Sequence, residues 1–253
     1  MKKTIRQLAF YLWLIAIWQV VCDLKIWPPY LFPSPGNVLE ALQAGFADRS
    51  LVIGIGISMK RIALGYGLSV VLGIGLGFLI AASEFLEATL GGLVLSLQSL
   101  PSLCWLPLAV LWFGLSEKAI IFVVVMGSFL AVTINTQAGV RHVPRIYLMA
   151  GRNLGAEGAR LFAHVLLPAS LPHLVSGLKQ GWAFAWRSLI SGEMIFVSLG
   201  LGHLLMMGRD LNDMNQVLAV MAVIMAIGQI VDRLVFERLE SRIRLKWGLT
   251  VSA

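Results

Sequence analysis

The sequence predicts an all-α polytopic membrane helix bundle: six transmembrane helices, with one basic helix in a cytoplasmic loop. Three observations carry this. Hydrophobic residues make up 58% of the 253 and charged residues only 13%, where a soluble globular chain has about 25% charged. Mean hydropathy is +0.83. The apolar residues also come in continuous runs of about 20, the length that crosses a hydrocarbon core of about 30 Å as a helix. These runs show no period-two alternation, so helices rather than a barrel are expected.

The net charge of +7 is spread over the ends of the apolar runs. That is the footprint of membrane topology and anionic headgroups, not of a nucleic-acid face. Cys22 and Cys104 suggest neither a disulfide framework nor a metal spacing and read as inert apolar thiols. No internal repeat or low-complexity segment is visible, so residues 1–253 read as a single domain.

The first span runs from Leu8 to Lys25. Its basic start and apolar core mimic a secretory signal, but Gln19-Val20-Val21 lacks the small residues that cleavage needs, so an uncleaved helix is expected. The loop WPPYLFPSPGNVLEALQAGFADRS follows. Its prolines hold the first part extended, and NVLEALQAGFAD, apolar on one face, reads as a short interfacial helix.

The second span, Ile62 to Ala82, carries Gly65, Ser69, Gly73, Gly77 and Ala81 at every fourth position. Such a small-residue groove lets another helix approach closely in lipid. The third, Ala88 to Phe113, is interrupted by Pro101 and Pro107, each expected to remove a backbone hydrogen bond and kink the helix. The kink serves either structure or a pathway, and the sequence leaves both open. Lys118 to Ala138, Leu174 to Val197 and Gln216 to Phe236 complete the six.

An even number of spans puts both termini on one side. With the N-terminus inside, Lys2, Lys3, Arg6, Arg141, Arg145, Arg152, Arg160, Arg233, Arg238, Arg242, Arg244 and Lys246 are cytoplasmic. Lys25, Arg49, Lys60, Arg61, Lys118 and Arg209 fall outside. The bias favours cytoplasmic termini, with Lys60-Arg61 against it.

The fifth span holds Arg187 and Glu193 near its middle, beside Trp182 and Trp186. A charge at that depth costs about 3 kcal/mol or more, so it faces a bundle interior, a partner or water. Six residues at about 100° each separate the two by about 120°, so they do not form a natural pair. Arg187 either meets an anion on a translocation path or locks helices together, and Glu193 has the same two options. Gln98, Ser99, Asn135, Thr136 and Gln137 share this ambiguity. The four histidines lie in no ligand spacing, no Gly-x-Ser-x-Gly elbow with partners is present, and no GxxxxGK[ST] loop cradles phosphate. If ATP drives this protein, the motor is another chain.

Residues 141–172, between spans four and five, hold PRIYLMAGRNLGAEGARLFAHVLLP. It reads as a helix starting near Arg145, bending or breaking at Gly155 and stopping before Pro168. The segment resembles the EAA motif of ABC-importer permeases, EAA-x3-G-x9-I-x-LP. Met149-Ala150-Gly151, Gly155, Val165 and Leu167-Pro168 stand at the matching positions. Met149, Gly151 and Val165 depart from the usual Glu, Ala and Ile, and without the acid no carboxylate salt bridge is expected at 149. LPSLCWLPLAVLWFG, NTQAGVRHVP, AFAWRSLISGEMIF, LGLGHLL and DRLVFERLESRIRLKWGL extend the resemblance, in the character of the nitrate/sulfonate/taurine/bicarbonate branch.

This resemblance implies a type I importer permease of the bacterial inner membrane, working as a homodimer in the lipid bilayer with no nucleic-acid partner. Met149, Ala150, Gly151, Arg152, Gly155, Ala156, Leu167 and Pro168 would form a coupling helix docked on ATP-binding cassette ATPase subunits. Those subunits would hold ATP and Mg, leaving this chain without a cofactor or a metal. A periplasmic binding protein would deliver a small anion, such as taurine or another sulfonate, nitrate, cyanate or bicarbonate. Gln98, Ser99, Asn135, Trp182, Trp186, Arg187 and Glu193 are the pathway candidates, and Gly65, Ser69, Gly73 and Gly77 the packing residues. Two other readings stay open: an intramembrane enzyme using Glu193 or a histidine, and a coupling or scaffold subunit without a substrate.

Overall fold

The computed structural model describes residues 2–28, 30–196 and 199–246. Ten helices lie among them: α1 (Lys2–Asp23), α2 (Pro35–Ala47), α3 (Ser50–Ala81), α4 (Glu84–Gln98), α5 (Ser102–Phe113), α6 (Glu117–Arg141), α7 (Arg145–Asn153), α8 (Gly158–Ile195), α9 (Leu201–Asp210) and α10 (Met214–Leu245). Helices α3, α6, α8 and α10 are long and apolar enough to cross a membrane, and α4 with α5 makes a fifth candidate bent by 100°. The apolar part of α1, Ala9–Asp23, is shorter. All six apolar segments are therefore helical, while crossing length is met by four, or five with the bent pair. Val197, the expected end of the fifth span, lies outside the described residues.

The chain packs as two compact units, Met1–Ser58 with Glu193–Ala226, and Met59–Gly192 with Ile227–Ala253. In the first, Trp18 Nε1 donates to the Pro33 carbonyl at 3.0 Å and ties α1 to the following loop. Pro35 opens α2, and Ser34 Oγ accepts from the Asn37 amide at 3.3 Å. Proline loses nothing at a first turn, whose amides have no helical partner, and serine satisfies one of those amides. The short helix expected after the proline loop is this element.

In the second unit α6 is the central post: 56% of its apolar window is buried, against 28% in α3 and 22% in α8 and α10. The small-residue stripe of α3 explains how α6 is approached. A Cβ on Gly65 would lie 2.7 Å from Val124, on Gly73 2.8 Å from Val132, and on Gly77 2.5 Å from Thr136. Ser69 donates to the Gly65 carbonyl and accepts from Ser128 Oγ at 2.7 Å, so its hydroxyl is satisfied inside the contact. Ile80, Val94 and Leu130 form a buried apolar cluster joining α3, α4 and α6.

Three sequence expectations need correction. Lys60 and Arg61 do not lie in an outer loop: α3 starts at Ser50, because LVIGIGIS, apolar and free of proline, continues the helix. Arg61 is 3% exposed and pairs with Glu117 at 3.1 Å. Pro107 does not kink its helix, since it stands in the first turn of the α-helical part, Leu106–Phe113. The break lies at Pro101. The segment before Pro168 does not stop there: α8 begins at Gly158 and runs through Pro168 and Pro172. A π turn at Phe162–Leu166 ends two residues before Pro168, whose missing N–H and bulky ring would disturb an ordinary α turn. Two more π turns occupy Glu87–Gly91 in α4 and Asp232–Glu237 in α10.

Candidate functional site

The bend between α4 and α5 opens a cavity of about 300 Å³ in the second unit. Its wall comes from the break itself (Gln98, Ser99, Pro101, Ser102), from α6 (Met126, Gly127, Leu130) and from α8 (Phe184, Arg187). The break is local chemistry. Pro101 cannot donate, and the preceding turn closes with short-range bonds, Ser99 and Leu100 amides to Ser96 and Leu97 carbonyls at 3.2 Å. Ser99 Oγ takes a further bond to the Ser96 carbonyl at 2.7 Å.

Arg187 is the cation of this cavity. Its Nε donates to the Ala183 carbonyl at 3.1 Å, and its guanidinium carbon lies 4.8 Å from the Phe184 ring centroid. Among the described residues no carboxylate pairs with it. The remaining guanidinium N–H groups therefore stand ready to donate, in a fork that suits an oxyanion.

The other expected pathway residues lie elsewhere. Asn135 donates to the Ala131 carbonyl and to Gln180 Oε1, both at 2.8 Å, and joins α6 to α8. Trp182 and Trp186 stack at 6.2 Å. Trp182 also meets Tyr66 edge-on at 5.4 Å and Phe236 at 6.3 Å, so the tryptophans serve helix packing.

Glu193, in the first unit, is fully buried. Its carboxylate accepts from Ser58 Oγ, 2.7 and 2.9 Å from its two oxygens, and from the Gly202 amide at 3.0 Å. The Leu201 amide donates to Ser58 Oγ at 2.9 Å. Glu193 and Ser58 thus cap the first turn of α9, where unpaired amides and the helix dipole favour a carboxylate. A Cβ on Gly200 would lie 2.5 Å from the Glu193 carboxyl carbon, which explains the glycine before α9.

The loop helix α7 starts after Pro144 and ends in a Schellman arrangement. The Gly155 amide donates to the Arg152 carbonyl at 2.9 Å and the Ala156 amide to the Gly151 carbonyl at 3.0 Å, with Gly155 at φ +79°. This geometry favours glycine, whose missing Cβ permits the left-handed conformation. Gly151 faces inward: a Cβ there would lie 2.8 Å from Val165 and 2.9 Å from Leu161. Two departures from the motif, Gly151 and Val165, therefore face each other. On the other side Ile146, Met149 and Leu154 are exposed, Leu154 at 89%. Met149 belongs to this outer apolar face. Arg152 is exposed, and Ala156, Leu167 and Pro168 are half-buried.

Sequence reasoning missed Phe184, Ser102, Met126 and Gly127 as cavity residues, and Ser58 as the partner of Glu193. Only the proline at 101 signalled where the cavity opens.

The family model described as binding-protein-dependent transport system inner membrane component matches residues 70–245. A putative ABC transporter permease protein of Methanocaldococcus jannaschii is 34% identical over 224 residues, 87% of this chain and 84% of its own length. The taurine transport system permease protein TauC of Escherichia coli is 31% identical, with 87% and 82% covered. The nitrate import permease protein NrtB of Synechocystis is 28% identical, with 92% and 87% covered.

Proposed function

Since the chain belongs to the family of binding-protein-dependent transport system inner membrane components, and is a multi-pass inner-membrane ABC importer permease, we propose that its cavity at the broken span passes a small anion. A sulfonate such as taurine or an alkanesulfonate is the first candidate; nitrate, cyanate and bicarbonate are the others. The observation that carries this is Arg187, a cation on the cavity wall with no carboxylate partner among the described residues. Relatives named for taurine and nitrate transport support a substrate that carries an oxyanion group, a sulfonate or nitrate itself.

The permease contributes position and electrostatics. Arg187 supplies a charge that favours an anion over water in a low-dielectric span. Gln98, Ser99 and Ser102 add polar groups at the same wall. ATP is hydrolysed on separate ATPase subunits, which seat α7 through its exposed apolar face, Ile146, Met149 and Leu154. A periplasmic binding protein delivers the anion, a second copy of the chain completes the pathway, and both termini are cytoplasmic.

The test is uptake by the reconstituted complex, with radiolabelled taurine, ethanesulfonate, nitrate and bicarbonate supplied in turn with the binding protein. ATP-dependent uptake of one of these, lost on Arg187→Ala at unchanged membrane level, supports the reading. Uptake unaltered in Arg187→Ala refutes Arg187 as the anion contact.

A further inference from the structure

The three π turns share an arrangement beyond the cavity and the loop helix: the first residue of each is fastened to a different long helix of the second unit. Glu87, opening Glu87–Gly91, forms an ion pair with Arg141 of α6 and accepts from Gln137 Nε2 at 3.2 Å. Phe162, opening Phe162–Leu166, stands edge-to-face on Phe78 of α3 at 4.9 Å. Asp232, opening Asp232–Glu237, pairs with Lys179 of α8 at 3.1 Å. In contrast, α3 and α6, the posts that carry Phe78 and Arg141, contain no π turn among the described residues.

A π turn accommodates one residue more than an α turn and closes with poorer hydrogen-bond geometry, so it yields before the helix around it. An anchor at its first residue fixes one side of the weak turn and leaves the other free to tilt. The turn at Phe162–Leu166 also meets α7 directly, through Val165 against Gly151, so displacement of the loop helix enters α8 at that turn.

We propose that the three π turns are the flexing points of the transport cycle, with Glu87–Arg141, Phe78–Phe162 and Lys179–Asp232 as fixed pivots. The inference rests on the ATP-driven reading above. Hinges of this kind are a few residues that absorb a backbone change while packed helices move as bodies. Because the pivots lie outside the cavity wall, altering them changes coupling and leaves the anion contacts in place.

Hydrogen–deuterium exchange on the complete complex in lipid, with and without ATP, Mg and vanadate, tests the proposal. Peptides covering 87–91, 162–166 and 232–237 are expected to exchange at least about tenfold faster than the flanking helix. They should also respond to nucleotide, while the α3 and α6 contact does not. Turns that match their flanks, or that ignore nucleotide, overturn it. In parallel, Asp232→Asn should lower anion uptake per ATP several-fold, and the exchange Lys179→Asp with Asp232→Lys should bring it back to within about twofold. A charge-exchanged complex that assembles but stays as poor as Asp232→Asn also overturns it. If the unaltered complex shows no ATP-dependent uptake of any probe anion, the functional reading falls and takes this inference with it. If uptake is normal and the turns are silent, only the inference falls.

Discussion

Gly155 ends α7 at φ +79°, and no atom lies within 4 Å of the position a Cβ would take. A substitution there meets no neighbour, so its cost is conformational. A Cβ in the left-handed region costs roughly 1–2 kcal/mol. That lowers the population of the capped conformation by a factor of roughly 5–30. If only the capped loop fits the ATPase, the apparent affinity falls by the competent fraction. Gly155→Val should then weaken ATPase recruitment by about tenfold, measured by titrating the ATPase subunit onto the permease in nanodiscs. Gly155→Asn should stay within a few-fold of the original, because asparagine visits the left-handed region with a local hydrogen bond. The pair of variants separates backbone geometry from surface contact. Recruitment by Gly155→Val equal to the original would falsify the argument, as would an asparagine variant as poor as the valine one.

The glycines of α3 give a second contrast. Gly77→Ala places a Cβ 2.5 Å from Thr136 and 2.7 Å from the Thr133 carbonyl and should destabilise by about 1–3 kcal/mol. Gly75→Ala meets nothing within 4 Å and should be neutral or gain up to about 1 kcal/mol, read as thermal unfolding in detergent. Glu193→Ala strips the acceptor from Ser58 Oγ and the Gly202 amide, at about 1–3 kcal/mol for each buried group left unpaired. Glu193→Gln keeps an oxygen there and should cost less in the same unfolding measurement; equal losses would argue against the capping role. Arg187→Ala should cut uptake while membrane level holds, and equal loss of both would assign Arg187 to helix locking.

Much of the architecture is legible because its causes are local. Runs such as that of α6 declare themselves by length, Pro101 marks the break by its missing donor, and Gly155 marks a helix end by the conformation it permits. The same local rules misread Lys60-Arg61 as an outer loop, since charge alone argues for water. Glu117, 56 residues further on, makes burial of Arg61 tolerable. They also ended a helix before Pro168: proline argues for a stop, and the π turn that accommodates Pro168 has no sequence signature of its own.

The candidate site divides along the same line. By itself the sequence determined that the chain is a bundle of apolar helices, that it carries a basic loop helix bending or breaking at Gly155, and that Arg187 and Glu193 sit at costly depth. Each follows from composition or from residues within a few turns. Tertiary structure decided what those charges meet. Ser58 reaches Glu193 across 135 residues, Gln98 and Ser99 come to share a wall with Arg187, and the tryptophans beside that arginine pack against Tyr66 and Phe236. Pairings of this kind depend on which helix faces approach one another. A helix repeats its surface about every 3.6 residues, but nothing in that repeat says which neighbour each face will find.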